Sequence, residues 1–338
     1  MKVEATDVRF ESDERKSESG LLSEKNPPSP PGIGLALSSG GAKGLAHIGV
    51  LQVLEENNIP IDAIAGSSMG AYIAAVWAYG YSGAQMEKFA REVEGKWAWL
   101  RLLDPYLVPR SGLLRGNRTR LRLKNAIGEA QFSDLPRRLR IVATNLQTLE
   151  RAVFSKGEVA LAVQASTAIP GICSPVRVGE EMYFDGGVVD PLPVDVAREM
   201  SVESVIAVNV IPTPAYLRCR LDFEREQTAA RLQQFGLGSR LIRRAAERLA
   251  ANNVFDVIHR TMVGAQMRLA EHSCRHADVV LRPISFEAHW HDFHRPGKYI
   301  ALGRKAAEEH LDEIKALLVR RRTTHETPVA NNTLAVAA

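Results

Sequence analysis

The feature that most constrains this chain is a five-residue link between a strand-like and a helix-like segment. Residues 61–65 and 72–78 are both apolar, and between them the sequence reads Gly-Ser-Ser-Met-Gly from Gly66 to Gly70. A strand-to-helix turn of this G-x-S-x-G type forces its central residue into strained backbone geometry and leaves little room for side chains beside it. Ser68 is therefore predicted to present its hydroxyl at the start of a helix, as a nucleophile. An ordinary Gly/Ser turn is the alternative interpretation of the five letters.

Composition excludes several classes of protein. The chain has 338 residues, of which 45% are hydrophobic and 24% charged, as in a globular protein with one large domain or two ordinary ones. No apolar stretch approaches the roughly 18 to 20 residues that span a bilayer, and the charged segment 1–25 lacks the apolar core of a secretory signal. Three widely spaced cysteines indicate neither a disulfide framework nor a cysteine-rich metal site. We therefore expect a cytoplasmic protein.

Three regions of the chain differ in their capacity to pack. Residues 1–31 combine charge, serine and a proline run, and residues 321–338 are similar, so both are predicted to be disordered. Between them, residues 32–320 alternate strand-like and helix-like segments. The predicted strands cover residues 33–37, 61–65, 140–145, 152–154, 204–210 and 277–281. This alternation predicts a single α/β domain with a largely parallel central sheet covered by helices on both faces, and chemistry at the carboxyl ends of the strands.

Basic residues are concentrated in two parts of the chain. Residues 110–140 contain nine Lys or Arg but only two acidic residues, and a helix-like segment at about 224–268 is rich in Arg. The simplest interpretation is a solvated basic face and a helix pair packed on the core. The alternative is an interfacial amphipathic helix and attraction to an anionic membrane surface, which would make the protein peripheral to the membrane. No nucleic-acid partner is expected.

A glycine-rich loop follows the first predicted strand and runs directly into a helix. Residues 38–44 read Ser-Ser-Gly-Gly-Ala-Lys-Gly, and paired glycines at the start of a helix expose backbone N–H groups to an anion. A dinucleotide pyrophosphate is one such anion, but Ser39 stands where G-x-G-x-x-G requires its first glycine. The favoured anion is the oxyanion of a reaction at the neighbouring elbow, because that use needs only donors close to the nucleophile.

A serine hydroxyl also needs a group that accepts its proton. Several histidines follow Ser68, but none lies in a glycine-flanked loop at the end of a convincing strand, and the cluster at 288–294 lacks the helical spacing of a zinc site. Asp185 is better placed, because a short apolar segment precedes it and Gly186 and Gly187 follow it, which would expose its carboxylate to a neighbouring loop. A simple Asp-Gly turn is the alternative. Neither a metal nor a cofactor is predicted.

Taken in order, these loops resemble the motifs of the patatin-like phospholipase family. Four segments look like the family's anion loop, nucleophile elbow, connecting helix end and D-G-[GA] motif, namely residues 35–51, 66–70, 165–171 and 185–187. The resemblance implies a single three-layer patatin-like domain over residues 32–320, which includes the helical segment at about 224–268.

The same resemblance implies a function. The implied protein is a serine lipid acyl hydrolase of phospholipase, lysophospholipase or esterase type, with a lipid or acyl ester as its substrate. Its reaction would use no histidine, metal or cofactor. Ser68 would attack the ester carbonyl and Asp185 would accept its proton, giving an acyl-enzyme that water cleaves. The amides of Gly40, Gly41 and Ala42 would bind the oxyanion. The motif glycines are Gly44, Gly66, Gly70, Gly186 and Gly187.

Two positions depart from the family pattern, since Ser39 replaces a third glycine and Lys43 replaces the commoner arginine. An exposed aspartate, with a pKa near 3.9, is a weak base at neutral pH, so the dyad also requires that burial raise the pKa of Asp185. Three alternative functions stay open. They are acyl transfer to an acceptor other than water, a membrane-associated regulatory protein with weak or no turnover, and a dinucleotide-binding module.

Overall fold

The structure is a computed structural model of the chain, and it describes residues 32–95, 103–106, 112–219, 222, 254–285 and 288–323. The predicted N-terminal arm lies outside these residues, as does most of the helical segment predicted at about 224–268. From Val254 onward that segment is helical. The last described helix ends at Thr323, just inside the segment 321–338 predicted as a disordered tail, whose remainder lies outside the described residues.

Strands and helices alternate along most of the chain. The strands are β1 (Gly32–Leu37), β2 (Ala63–Ser67), β3 (Arg138–Asn145), β4 (Arg151–Phe154), β5 (Val176–Val178), β6 (Glu181–Asp185), β7 (Val202–Val208) and β8 (Val279–Leu281). The helices are α1 (Ala46–Glu56), α2 (Met69–Tyr79), α3 (Gly83–Arg91), α4 (Asn117–Ile127), α5 (Val159–Ser166), α6 (Val194–Arg198), α7 (Val254–Cys274), α8 (Pro296–Glu309) and α9 (Leu311–Thr323). Short 3₁₀ helices cover Gly41–Leu45, Phe132–Asp134 and Gly186–Val188. None of the helices in these ranges combines the length and apolar character needed to cross a membrane.

The eight strands form one sheet, in which hydrogen-bonded neighbours follow the path β5-β6-β3-β2-β1-β7-β8 and β4 also pairs with β3. The pairs β1–β2, β1–β7, β2–β3 and β7–β8 are parallel. The pairs β3–β4, β3–β6 and β5–β6 are antiparallel. The predicted largely parallel sheet is therefore confirmed, and its antiparallel strands are confined to one side.

The alternation of side chains along each strand divides the core into layers. Leu35 and Leu37 of β1 belong to one buried cluster, whereas Ala36 between them belongs to another, and Ile64 and Ala65 of β2 divide in the same way. Helices α1, α2, α3 and α8 contribute to the first cluster, and α6 and α7 to the second. Because successive strand residues face opposite sides, the sheet is covered on both faces, as predicted.

Helix α8 crosses α1 at close range because both helices carry a glycine at the contact. A Cβ on Gly49 would overlap the carbonyl oxygen of Ile300, and a Cβ on Gly303 would overlap that of Ala46. The contact places α8 against α1, the helix that follows the glycine-rich loop. The loop 288–295 leads directly into α8, so the crossing brings this loop to the edge of the sheet that carries the candidate site.

Candidate active site

Ser68 occupies the strained position of the turn between β2 and α2. Its φ is 53° and its ψ is −121°, a conformation that residues with a Cβ rarely adopt and that costs about 1–3 kcal/mol. A Cβ on Gly66 would lie 2.6 Å from the Ala71 amide nitrogen, and one on Gly70 would overlap the carbonyl oxygen of Leu37. The turn predicted from the sequence is present, and it needs both glycines for space.

Asp185 reaches Ser68 because two strands meet end to end along one edge of β3. Strand β2 runs parallel to β3 and pairs with its residues 138–142, whereas β6 runs antiparallel to β3 and pairs with residues 143–145. Strand β4 pairs with residues 141–144 and therefore takes the opposite edge. This leaves β2 and β6 on the same edge, running toward each other. Ser68 follows the last residue of β2 and Asp185 is the last residue of β6.

A short hydrogen bond joins the two side chains. The Ser68 hydroxyl donates to Asp185 Oδ2 at 2.6 Å, and the Gly187 N–H donates to Oδ1 at 2.7 Å. Asp185 is only 3% exposed. Its burial raises the pKa of the carboxyl from the ordinary 3.8 to about 6, and the two hydrogen bonds only partly oppose this effect. The partner of the Ser68 hydroxyl is therefore a carboxylate of raised basicity rather than an imidazole.

Two buried hydroxyls tie these residues to the sheet. The Ser166 hydroxyl accepts the Ser68 N–H at 2.8 Å and donates to the Val142 carbonyl at 2.6 Å. The Thr144 hydroxyl donates to the Asp185 carbonyl at 2.9 Å. Neither hydroxyl is predicted from the sequence, although Ser166 lies in a segment that carries the family resemblance. Both positions hold the backbone on which the Ser–Asp contact depends.

The glycine-rich loop offers two backbone donors beside Ser68. Within the described residues, the N–H groups of Gly40 and Gly41 donate to no protein acceptor, whereas the Ala42 N–H donates to the Trp290 carbonyl at 2.7 Å. An N–H in such a bond is not available to an oxyanion, so of the three predicted donors only those of Gly40 and Gly41 are open to one. Gly41, at a φ of 59°, needs glycine, since a Cβ there would also overlap the Trp290 carbonyl oxygen.

Ser39 replaces the family's third glycine without backbone strain. Its φ is not positive, and its N–H donates to the Pro191 carbonyl at 2.8 Å. Ser39 is therefore not an oxyanion donor. Its side chain is buried, at 2% exposure, and lines the same small cavity as Lys43. The departure adds a hydroxyl to the site at a position where the backbone does not need glycine.

The remaining motif glycines leave space for neighbouring groups. A Cβ on Gly186 would overlap the Val142 carbonyl oxygen, and one on Gly44 would lie 2.8 Å from Met69 Cβ. A Cβ on Gly187 would crowd three polar side-chain atoms of the site. Neither Gly186 nor Gly187 has a positive φ, so the glycines following Asp185 are required for close approach and not for an unusual backbone conformation.

Ser68 lies where two cavities meet. The larger has a volume of about 330 Å³ and mostly apolar walls, which include Ile48, Tyr72, Phe89, Ile172 and Phe293. The smaller has a volume of about 40 Å³, and its walls include Ser39, Asp185 and Gln266. Gly41, Ser68, Ile169 and Trp290 line both. Gln266 and Trp290 are not predicted from the sequence, because no local motif marks either one.

Among the described residues, no histidine side chain is hydrogen-bonded to the Ser68 hydroxyl, which donates to Asp185. His47 is fully buried and its Nε2–H donates to the Ser38 carbonyl at 2.9 Å, while burial lowers its pKa to about 4. Its neutral ring therefore supports the glycine-rich loop. His291 lines the apolar cavity. In the part of the chain that the structure describes, no cluster of His, Cys, Asp and Glu could hold a metal ion.

Comparison with known proteins finds the same elements elsewhere. A family model described as patatin-like phospholipase matches residues 35–198. An uncharacterised NTE family protein of Mycobacterium bovis is 38% identical over 184 residues, which are 54% of this chain and 50% of that protein. Lysophospholipase NTE1 of Saccharomyces cerevisiae is 30% identical over 182 residues, 53% of this chain and 11% of that protein. The chain thus matches half or less of these relatives' length.

A crystal structure of VipD from Legionella pneumophila aligns with 84% of this chain and 67% of its own, at 14% identity and a TM-score of 0.41.

The family model covers the glycine-rich loop, the elbow and the aspartate in one continuous match. Over residues 35–198, the chain therefore matches the patatin-like phospholipase family.

Proposed function

We propose that this chain is a serine acyl hydrolase that cleaves carboxylic esters of lipids through an acyl-enzyme on Ser68, with Asp185 as its general base. The observation that carries the proposal is the 2.6 Å hydrogen bond from the Ser68 hydroxyl to a buried carboxylate at the mouth of an apolar cavity. The match to this family and the name of the yeast relative support the lipid substrate.

Asp185 has the properties that a general base requires. With a pKa of about 6, its carboxylate is mostly ionised at neutral pH and still binds a proton much more tightly than an exposed aspartate. Its Oδ2 already accepts the proton that must leave Ser68. The Gly187 N–H on Oδ1 holds the carboxylate in this orientation.

The reaction would proceed in two steps. Ser68 Oγ attacks the ester carbonyl carbon while its proton passes to Asp185, and the N–H groups of Gly40 and Gly41 stabilise the oxyanion. The carbon–oxygen bond to the alcohol then breaks, the alcohol takes the proton from Asp185, and the acyl group remains on Ser68. Water discharges this ester in the second step with the same base.

The larger cavity favours a hydrocarbon acyl chain. Its apolar walls begin at Ser68 and include side chains from α1, α2 and α3. Each methylene group transferred into such an environment contributes about 0.8 kcal/mol. The rate at low substrate concentration should therefore increase with acyl length until the cavity is full.

Labelling and mutation of adjacent serines test the proposal. A fluorophosphonate probe should label Ser68, and Ser68→Ala should lower hydrolysis of p-nitrophenyl esters at least about a thousandfold with the fold retained. Ser67→Ala is the matched control, because Ser67 is also buried in the elbow but lines neither cavity. A wild-type protein that is folded but neither labelled nor active on esters and phospholipids would refute the proposal.

The regulatory alternative has less support, because three of the basic residues in the segment 110–140 pair with acidic side chains of the chain itself. Arg120 and Lys124 pair with Glu158 and Glu129, at 2.8 Å and 2.7 Å. Arg140 pairs with Glu199 at 3.1 Å. Peripheral contact with anionic lipid stays a prediction, tested by salt-sensitive vesicle binding of wild type and Ser68→Ala.

A further inference from the structure

The small cavity beside Ser68 contains polar groups that the proposed acylation step does not use. Ser39 and Gln266 both line it, and they are 2% and 9% exposed. The Ser39 hydroxyl is buried without a hydrogen-bond partner among the described residues. Gln266, on α7, likewise has no side-chain hydrogen bond to any described residue. Buried polar groups without partners are unfavourable, so their presence in a catalytic cavity indicates a bound molecule.

Ser39, Gln266 and Asp185 face one common space. The point at which a Cβ on Gly187 would lie is 2.8 Å from Ser39 Oγ, 2.9 Å from Asp185 Oδ1 and 2.9 Å from Gln266 Nε2. A side chain at Gly187 would displace these three atoms, so glycine allows them to lie close together. A hydroxyl, a carboxamide N–H and a carboxylate oxygen therefore line the small cavity next to the proposed general base.

The size and the donors of this space fit water. The cavity volume is about 40 Å³, and a water molecule needs roughly 10–15 Å³ measured in this way together with two to four polar partners. Ser39 can donate or accept, Gln266 Nε2 donates and Asp185 accepts. Polar atoms also make up a larger share of the small cavity's walls than of the walls of the larger cavity.

We propose that Ser39 and Gln266 position the water that discharges the acyl-enzyme. This inference rests on the proposed function. A water oxygen held by the two side chains attacks the carbonyl carbon of the Ser68 ester, and one of its protons passes to the Asp185 carboxylate. The bond to Ser68 Oγ then breaks, Asp185 returns the proton to this oxygen, and the carboxylic acid leaves. Ser39 and Gln266 exchange no proton and act only by positioning.

Separate measurement of the two half-reactions tests this role. The variants are Ser39→Ala and Gln266→Met, which remove polar groups that have no hydrogen-bond partner among the described residues, so the fold should be retained. Rapid-quench experiments with a p-nitrophenyl ester give the acylation rate from the first release of p-nitrophenol and the deacylation rate from loss of the acyl adduct by intact-protein mass spectrometry. Met267→Leu is the control on the same helix, since Met267 packs in the second buried cluster.

The expected result is a deacylation rate lowered about five- to tenfold in each variant, the factor for one neutral hydrogen bond. The acylation rate should stay within about twofold of wild type, so that kcat and KM fall together while kcat/KM is unchanged. Met267→Leu should leave both rates unchanged.

Unchanged deacylation in both variants would overturn the inference and leave the proposed function intact. Equal losses in acylation and deacylation would also overturn it, and would instead assign the cavity to the leaving alcohol. A wild-type protein that forms no acyl adduct on Ser68 would overturn the proposed function and this inference together. If either variant fails to fold, Ser39→Gly and Gln266→Leu provide the same test.

Discussion

Replacing Asp185 by asparagine should stabilise the protein at pH 8 while it abolishes the proposed activity. The pKa of the buried carboxyl is about 6, against an ordinary 3.8. A difference of about two pKa units, at about 1.4 kcal/mol each, means that ionised Asp185 costs the folded state about 3 kcal/mol. Asparagine removes this cost because it is neutral at every pH.

The hydrogen bonds of Asp185 can survive this substitution. The carbonyl oxygen of the new side chain can accept the Gly187 N–H in place of Oδ1, and its NH₂ group can donate to Ser68 Oγ in place of accepting from it. The amide cannot take a proton from serine, so hydrolysis should fall by at least about a thousandfold. The gain in stability and the loss of activity thus share one cause, the buried charge.

The difference in stability between the wild type and Asp185→Asn should depend on pH. Because the folded pKa lies above the unfolded one, the stabilising effect of a protonated Asp185 is complete below about pH 4 and is lost as the pH rises through about 6. Urea unfolding of both proteins should therefore show that the asparagine variant is more stable by about 1 kcal/mol at pH 4.5 and about 3 kcal/mol at pH 8. The comparison cancels all other titrating groups.

Asp104→Asn is the matched control for this measurement. The Asp104 carboxylate accepts the backbone N–H groups of Gly116 at 2.9 Å and Asn117 at 2.8 Å, where α4 begins. Loss of its charge should therefore destabilise the protein by about 1 kcal/mol at pH 8. Equal differences between wild type and Asp185→Asn at the two pH values, or a variant that is less stable at pH 8, would refute the reasoning.

Three further predictions concern the site and the helix crossing. If Asp185 is the base, kcat/KM should rise with pH around a midpoint near 6; a flat profile from pH 5 to 8 would exclude it. Ser166→Ala leaves the Ser68 N–H and the Val142 carbonyl without their buried partner, so urea unfolding should show a loss of about 1–3 kcal/mol, with at least about tenfold lower kcat. Gly303→Ala introduces a Cβ that overlaps the Ala46 carbonyl and should lower the free energy of unfolding by about 2 kcal/mol or more. Its control Gly264→Ala meets no atom within 4 Å and should be neutral or stabilising.

The local features of this protein could be predicted from the sequence. The strained turn at Ser68 requires glycine two residues before it and two residues after it, at Gly66 and Gly70. The segment 66–70 is therefore enough to predict the turn. The parallel strands can be recognised in the sequence as apolar runs, because a strand that is buried on both faces carries apolar side chains on both. Strands β5 and β6 are not predicted as strands, because neither contains an apolar run longer than three residues.

The tertiary structure alone decided which groups meet. The contact between Ser68 and Asp185 depends on β2 and β6 sharing one edge of β3, a register that no local pattern specifies. The pairing of Ala42 with the Trp290 carbonyl joins distant parts of the chain, and neither end carries a side-chain signal, because both groups belong to the backbone. Steric constraints between neighbouring residues can be predicted from consecutive positions of the sequence. Hydrogen bonds between distant residues and burial depend on distances that are set only when the chain folds.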